Sequence, residues 1–223
     1  MQRLFDIFFS LIALLVLSPL FLTVISILKI TGEGEIFFIQ KRHGLNQNEI
    51  KLLKFVTMVK NSENMGTGTV TLKNDPRILP FGAFLRKTKI NELPQIINVL
   101  MGSMSVIGPR PQTERCFNAF PETAKSVIAS VRPGLSGIGS IVFRDEEDML
   151  DATKDPDDLY DNVIMPYKAN IEIWYTENKS IALYFGLIFL TVYMIIFRTP
   201  KIIWKIFPSL PLPPNDLKEY FEK

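Results

Sequence analysis

The sequence predicts an α+β, membrane-associated protein with an N-terminal hydrophobic helix, re-entrant or spanning, and a small, mostly helical cytosolic domain containing a short β-hairpin. Three observations predict it. Leu4 to Leu28 is almost unbroken hydrophobic, with Asp6 as its only charge. Two β-prone runs, IFFIQ and IKLLKFVTM, flank a polar loop containing Gly44, Asn46 and Asn48, the pattern of a hairpin. From Asn91, the residues Leu93, Ile96, Ile97, Leu100 and Met101 recur at three- and four-residue spacing, the period of an amphipathic helix.

Composition narrows the class. The chain has 223 residues, 47% of them hydrophobic, enough for one domain with a real core plus an appendage, and biased towards a membrane. A net charge of +2 offers no global signal for nucleic acid. Locally the charge is uneven. Between Ile36 and Arg115 twelve Lys or Arg face five Asp or Glu; between Val142 and Asn162 nine acids face two bases. A basic middle suits anionic ligands and fits an ordinary solvated surface equally well. Cys116 is the only cysteine, so no intramolecular disulfide forms. His43 is the only histidine, which excludes a multi-histidine metal site and argues against a histidine-based triad. Any metal here is a hard cation held by oxygen, such as Mg²⁺ with phosphate help.

The first element, a helix over residues 1–30, reaches about 37 Å over Leu4–Leu28, enough for a hydrocarbon core of roughly 30 Å. A cleaved signal peptide fits poorly, because the run is long and no small-residue cleavage site follows it. Ser18-Pro19 predicts a kink, since a mid-helix proline removes a backbone hydrogen bond. Lys41, Arg42, Lys51 and Lys54 beyond it favour the cytoplasmic side. Phe37, Phe38 and Phe55 in the hairpin are packing residues. Asn61 to Thr69 reads as a mobile polar loop, and Asn74-Asp75-Pro76-Arg77 as a turn.

Asn91 is placed to cap the next helix, with Glu92 in its first turn, where the helix dipole favours a carboxylate, and Pro94 just inside. Arg86, Lys87 and Lys89 precede it, and Gly108-Pro109-Arg110-Pro111 follows as a stiff loop. One acid at a helix start between cationic segments suits a phosphate, and the same pattern occurs in ordinary capped helices. A helix is expected from about Thr113 to Ser130. The acidic block Arg144–Asp161 reads as a solvated helix and turn without an EF-hand pattern. Tyr160 to Asn178 is helical, with Pro166 marking an early turn or a kink. Ile181 to Phe197 has no charge in seventeen residues, with Lys179 and Arg198 at its ends. Lys201, Trp204 and Lys205 read as an interfacial segment, and the tail from Pro208 as loosely ordered.

LRKTKINELPQIINVLMGSMSVIGPRP resembles the core motif of the bacterial sugar transferases, the monotopic phosphoglycosyl transferases that act on polyprenyl phosphate. Lys54-Phe55-Val56-Thr57-Met58 is similar to that family's Lys-Phe-Arg-Thr-Met, without its arginine. Asn74-Asp75-Pro76-Arg77 and Val131-Arg132-Pro133-Gly134-Leu135-Ser136-Gly137 match further family motifs. Further positions depart from the pattern: Asn91 stands where the family has its nucleophilic aspartate, Ser103 where an aspartate is common, and Ile138-Gly139-Ser140 where Trp-Ala-Gln is common.

The resemblance implies transfer of a sugar-1-phosphate from a UDP-sugar to undecaprenyl phosphate at the cytoplasmic face of the bacterial inner membrane, with Mg²⁺. It implies a re-entrant first helix over 1–30, a transferase domain over 31–200 that includes the hydrophobic helix 181–197, and an interfacial segment and tail over 201–223. Glu92 is then the catalytic and metal-binding carboxylate beside Asn91. Lys54, Arg77, Arg86, Arg110 and Arg132 become phosphate-binding residues, with Asp75 a weaker carry-over. Two alternatives stay open: a partner subunit that binds nucleotide sugar or lipid without turnover, and a membrane-anchored structural protein.

Overall fold

The computed structural model describes residues 1–65, 75–151, 153–197 and 199–221. Gln2–Thr31 (α1) is one long helix. Phe37–His43 (β1) and Glu49–Phe55 (β2) form the expected hairpin, joined through a 3₁₀ turn in which Asn46 takes φ 54°. Helices Pro80–Lys87 (α2) and Gln95–Met101 (α3) lead to strand Ser105–Ile107 (β3). Helices Glu114–Asn118 (α4) and Glu122–Ile128 (α5) precede strand Gly134–Ser136 (β4). The remainder is helical: Ile138–Val142 (α6), Glu146–Asp151 (α7), Pro156–Leu159 (α8), Met165–Glu177 (α9), Ile181–Phe197 (α10), Ile202–Ile206 (α11) and Asn215–Phe221 (α12). The chain divides into two units, one of Met1–Asp6, Arg42–Ile50 and Gly102–Lys223, the other of Ile7–Lys41 and Lys51–Met101.

In the second of these units, Phe21, Val24 and Leu28 of α1 form a cluster with Phe55 of β2 and Leu85 of α2. Phe55 is the hub: Phe21 meets it edge-on at 5.3 Å and Phe37 stacks on it at 5.6 Å. Elsewhere α1 turns Leu11, Ile12, Leu15, Val16 and Leu22 outward. The helix is long and apolar enough to cross a membrane, and this exposed surface associates the protein with one. It continues through Pro19, and the preceding serine explains how. Pro19 has no N–H for the Leu15 carbonyl, and the Ser18 hydroxyl donates to that oxygen at 2.8 Å. α2 opens on Pro80, where a missing N–H costs nothing, and Leu79 N–H donates to the Thr57 carbonyl at 3.0 Å. Of the expected loop over 61–69, Ser62–Asn64 is a 3₁₀ turn; 66–69, like Asn74, lies outside the described residues.

In the other unit, β3 and β4 pair in parallel, with Ser105 opposite Gly134 and Ile107 opposite Ser136. The loops beyond them continue the contact: Gly108 N–H donates to Ser136 O at 2.9 Å and Gly134 N–H to Pro109 O at 2.8 Å. The two glycine-containing motifs noted in the sequence are therefore one structure. A Cβ on Gly134 would sit 2.1 Å from the Gly108 nitrogen, and one on Gly137 2.1 Å from the Gly108 oxygen, so only glycine allows this approach. Asp6, the lone charge in the hydrophobic run, is buried here and accepts hydrogen bonds from the Ser105 hydroxyl, Val106 N–H and the Tyr184 hydroxyl.

Phe117, Phe120, Ala124 and Ile128 pack with Met165 and Ala169 of α9. The single helix expected over Thr113–Ser130 is two, α4 and α5. Pro121 divides them, because it restricts the residue before it and has no N–H to continue the ladder. Before α9, Tyr160–Ile164 forms a π-helical turn, and Pro166 lies in the first turn of α9. α10 has the predicted limits and buries one face through Leu183, Tyr184, Leu187, Leu190 and Met194, while Phe189, Val192, Ile195 and Ile196 face outward. The acidic block forms α7 and α8, with Asp155 capping α8.

The tail corrects its expectation of loose order. Trp204 packs on Phe221 at 5.4 Å and donates to Pro211 O at 3.0 Å, Tyr167 donates to the same carbonyl, and Leu210, Leu217 and Phe221 are buried. Leu210 and Leu217 reach the core, while Leu212 between the prolines stays exposed.

Candidate active site

The motif around Glu92 folds differently from the capped helix its spacing predicts. Lys89 takes a left-handed conformation, φ 59°, and Ile90–Glu92 winds as a separate 3₁₀ turn. The α-helix starts only at Gln95, after Pro94, so Asn91 is not its N-cap. Leu93 and Pro94 offer their carbonyls to Ile96 and Ile97 N–H, which starts α3 without a side-chain cap. Asn91 Oδ1 is instead buried and accepts no hydrogen bond. Glu92 finds its electrostatic partner in a side chain: a carboxylate oxygen lies 3.9 Å from Lys54 Nζ, the two side chains being 22% and 15% exposed. At that burial the attraction is screened less than on an open surface.

Asn98, which spacing alone placed in a helix without a role, sets this arrangement. It is buried on α3, accepts from Leu53 N–H at 2.9 Å and donates to Lys51 O at 2.7 Å. These bonds lock α3 to β2 beside Lys54. The signal was a polar residue between apolar neighbours. Arg86, in the last turn of α2, reaches Thr57 Oγ1 at 3.4 Å. Lys54, Arg86, Asn91 and Glu92 thus belong to one unit.

Arg77 shares that unit and is occupied by its own loop. It is 5% exposed; its Nε and Nη2 donate to Asp75 at 2.9 and 2.6 Å, and Nη1 donates to the carbonyls of Ser62 and Met65, both at 2.7 Å. The geometry gives Asp75 and Arg77 a loop-clamping role. Arg110 and Arg132 belong to the other unit, both exposed. Arg110 lines a small hollow with His43, Gln112 and Phe117. His43 pairs with Glu114 at 2.7 Å and stacks on Phe117 at 4.2 Å. Arg132 lines a separate cavity and donates from Nε to the Gly102 carbonyl at 2.9 Å.

Glu172 on α9 escaped the sequence reading. It is 2% exposed, and burial pushes its carboxyl up to about 7, against the opposing pull of Lys168 and of the Arg110 and Gly139 backbone N–H groups. Those groups face the carboxyl without reaching hydrogen-bond geometry. A Cβ on Gly139 would lie 2.2 Å from Glu172 Oε1, so the carboxyl wedges against the first turn of α6.

Among the described residues no group of three or more His, Cys, Asp or Glu gathers to hold a metal. The donors at Glu92 are one carboxylate and the Asn91 amide oxygen with no hydrogen bond. That set fits an ion such as Mg²⁺, which keeps several waters and takes the rest of its shell from substrate phosphates.

The fold is that of a membrane-associated α+β protein, with a carboxylate, an ammonium and a guanidinium in one of its units. The chain belongs to the bacterial sugar transferase family, whose profile matches residues 1–198. It is 36% identical over 159 residues to the exopolysaccharide production protein ExoY of Sinorhizobium fredii, covering 65% of this chain and 70% of that one. It is 34% identical over 201 residues to the UDP-glucose:undecaprenyl-phosphate glucose-1-phosphate transferase of Klebsiella pneumoniae, covering 86% of this chain and 39% of the relative. It is 34% identical over 176 residues to the UDP-N-acetylgalactosamine-undecaprenyl-phosphate N-acetylgalactosaminephosphotransferase of Aeromonas hydrophila, covering 78% of this chain and 40% of that one. The chain therefore spans well under half of the latter two proteins.

Proposed function

We propose that this chain transfers a sugar-1-phosphate from a UDP-sugar to undecaprenyl phosphate at the cytoplasmic face of the bacterial inner membrane, opening the synthesis of a surface polysaccharide or glycoconjugate. The observation that carries this reading is the half-buried Glu92 beside Lys54, within the residues the family profile matches. The names of the Klebsiella and Aeromonas relatives supply the donor and acceptor class. Lys41, Arg42, Lys51 and Lys54 support the cytoplasmic side.

Lys54 and Arg86 offset the charge of the donor diphosphate and orient its β-phosphorus. Glu92 carries the carboxylate chemistry, because the Asn91 amide forms no ordinary acyl phosphate. As nucleophile, a Glu92 oxygen bonds to the β-phosphorus while the bridging oxygen leaves with UMP; an oxygen of undecaprenyl phosphate then displaces the glutamate. As base, Glu92 accepts a proton from undecaprenyl phosphate while that oxygen attacks the β-phosphorus directly, and UMP leaves in the same step. Asn91 Oδ1 and Glu92 would hold Mg²⁺, whose contribution when bound is to spread charge over the transferring phosphoryl group. Asn91 also favours a second reading, in which the site binds its ligands without turning them over.

The test is UMP release from a panel of UDP-sugars by the purified full chain in detergent, with Mg²⁺ and undecaprenyl phosphate present or absent. Release that needs the lipid and is lost in Glu92→Gln is expected, as is equal or greater release from Asn91→Asp. Release from Asn91→Asp alone selects binding without turnover. A sugar phosphate trapped on the protein without the lipid selects the nucleophile route. Silence from both proteins across the panel overturns the transfer reading.

A further inference from the structure

The cavity that Arg132 lines contains none of Lys54, Asn91 or Glu92; it has a volume of about 60 Å³ and is also lined by Arg3, Asp6, Ser105, Tyr175 and Lys179. A single water needs about 10–15 Å³ measured this way, so the space takes a tetrahedral oxyanion with its four oxygens. Three side chains bring positive charge and one brings negative. The negative one, Asp6, already accepts from Ser105, Val106 and Tyr184.

The cations are held close together. Arg132 donates from Nε to the Gly102 carbonyl, and its terminal nitrogens make no bond to the described residues. A Cβ on Gly102 would lie 3.2 Å from an Arg3 terminal nitrogen, so both guanidiniums converge on this glycine, whose φ of 93° suits no larger residue. Lys179 is exposed and forms no ion pair among the described residues. Like charges gathered on one polar hollow repel, and an anion between them relieves the repulsion.

The surroundings select the kind of anion. Arg3 lies in the first turn of α1, and Lys179 stands just before α10, the two apolar helices of the chain. Phe5 packs edge-on against Phe185 at 5.0 Å, which ties these helix starts together, while Leu4 is 71% exposed. Cations beside exposed apolar side chains at the start of the membrane-associated helix α1 match the depth of lipid headgroups.

We propose that this cavity binds the phosphate of a membrane lipid, with Arg3, Arg132 and Lys179 as its ligands and the lipid chain running along the start of α1. The chemistry is a phosphate at the end of an apolar chain, as in an anionic phospholipid or a polyprenyl phosphate. Lys54, Arg86, Asn91 and Glu92 do not line the cavity, whereas Arg132, which the family resemblance gives as a phosphate-binding residue, does; only the polyprenyl phosphate source rests on the transfer reading.

The experiment is native mass spectrometry of the detergent-solubilised full chain, titrated separately with phosphatidylglycerol, undecaprenyl phosphate, phosphatidylcholine and inorganic phosphate. A single saturable adduct with one of the first two is expected, and the tighter of them identifies the source. Lys179→Gln and Arg3→Gln each weaken it by about fivefold, as expected for one cation near a phosphate surface. Lys179→Glu, an exchange at an exposed position that breaks no bond, weakens it further. Equal retention of phosphatidylcholine, binding of inorganic phosphate as tight as that of either lipid, or adducts unchanged in Lys179→Glu overturns the proposal. Glu92→Gln retains the adduct whether or not it turns over substrate, so the two proposals fail separately.

Discussion

Lys54 Nζ lies 3.9 Å from a carboxylate oxygen of Glu92, and neither side chain is more than a quarter exposed. The pair joins β2 to the 3₁₀ turn before α3. It therefore depends on the packing between those elements as much as on its own two charges.

Glu92→Gln keeps the shape of the site and removes its charge. Turnover should fall by roughly 10²- to 10⁴-fold, the usual contribution of a positioned acid or base. Lys54→Met should raise the KM for the UDP-sugar. UMP release at several donor concentrations checks both, and undiminished turnover in Glu92→Gln would falsify the assignment of Glu92.

Arg77 is clamped to Asp75 and to two loop carbonyls, so its removal should act through stability. Arg77→Met takes the guanidinium from a buried carboxylate and should lower the melting temperature by several degrees. Whatever folded protein remains should bind UDP-sugar with unchanged affinity by calorimetry. A stable variant with weakened binding would instead place Arg77 on the substrate.

Asn98 holds α3 on β2 through two hydrogen bonds. Asn98→Ala leaves Leu53 N–H and Lys51 C=O unpaired inside the fold, at a cost of roughly 2 to 4 kcal/mol. Turnover should drop as well, because the spacing of Lys54 and Glu92 rests on this packing. A melting curve together with UMP release tests the link, and loss of stability with full turnover would break it.

Burial raises the Glu172 carboxyl from 4.5 to about 7. Between those values the folded chain holds a proton that the unfolded chain has released, so stability falls as pH rises through this window and stays reduced above it. Glu172→Gln removes the dependence. From about pH 4.5 to about pH 8 its stability should gain roughly 3 kcal/mol relative to the wild type. Melting curves across that range decide the matter; a constant difference between the two proteins would show that Glu172 does not titrate there.

Much of the fold was legible because its signals are local. The length and apolar run of α1, the limits of α10 and the hairpin with its Gly and Asn turn follow from spacing and composition within short windows. Ser18-Pro19 predicts a kink, and the helix instead runs on through it, the serine hydroxyl meeting the carbonyl that the proline leaves open. The helix over Thr113–Ser130 failed on a local rule given too little weight, the break that Pro121 imposes. The tail failed because its proline-rich composition hides leucines that find their partners far along the chain.

The candidate site divides along the same line. The sequence by itself determined the family motif, the neighbouring Asn91 and Glu92 within it and the basic residues around them. Only the tertiary structure decided that Asn91 stands in a 3₁₀ turn and caps nothing, that Glu92 pairs with Lys54 and that Arg77 belongs to Asp75. It also joined the Gly108 and Gly134 motifs into paired strands, and set Arg3, Arg132 and Lys179 around one cavity. The physical reason is range. Helix period, turn chemistry and apolar length act between near neighbours, whereas ion pairs, parallel strand pairing and convergent charge need residues distant in sequence to be brought together by packing.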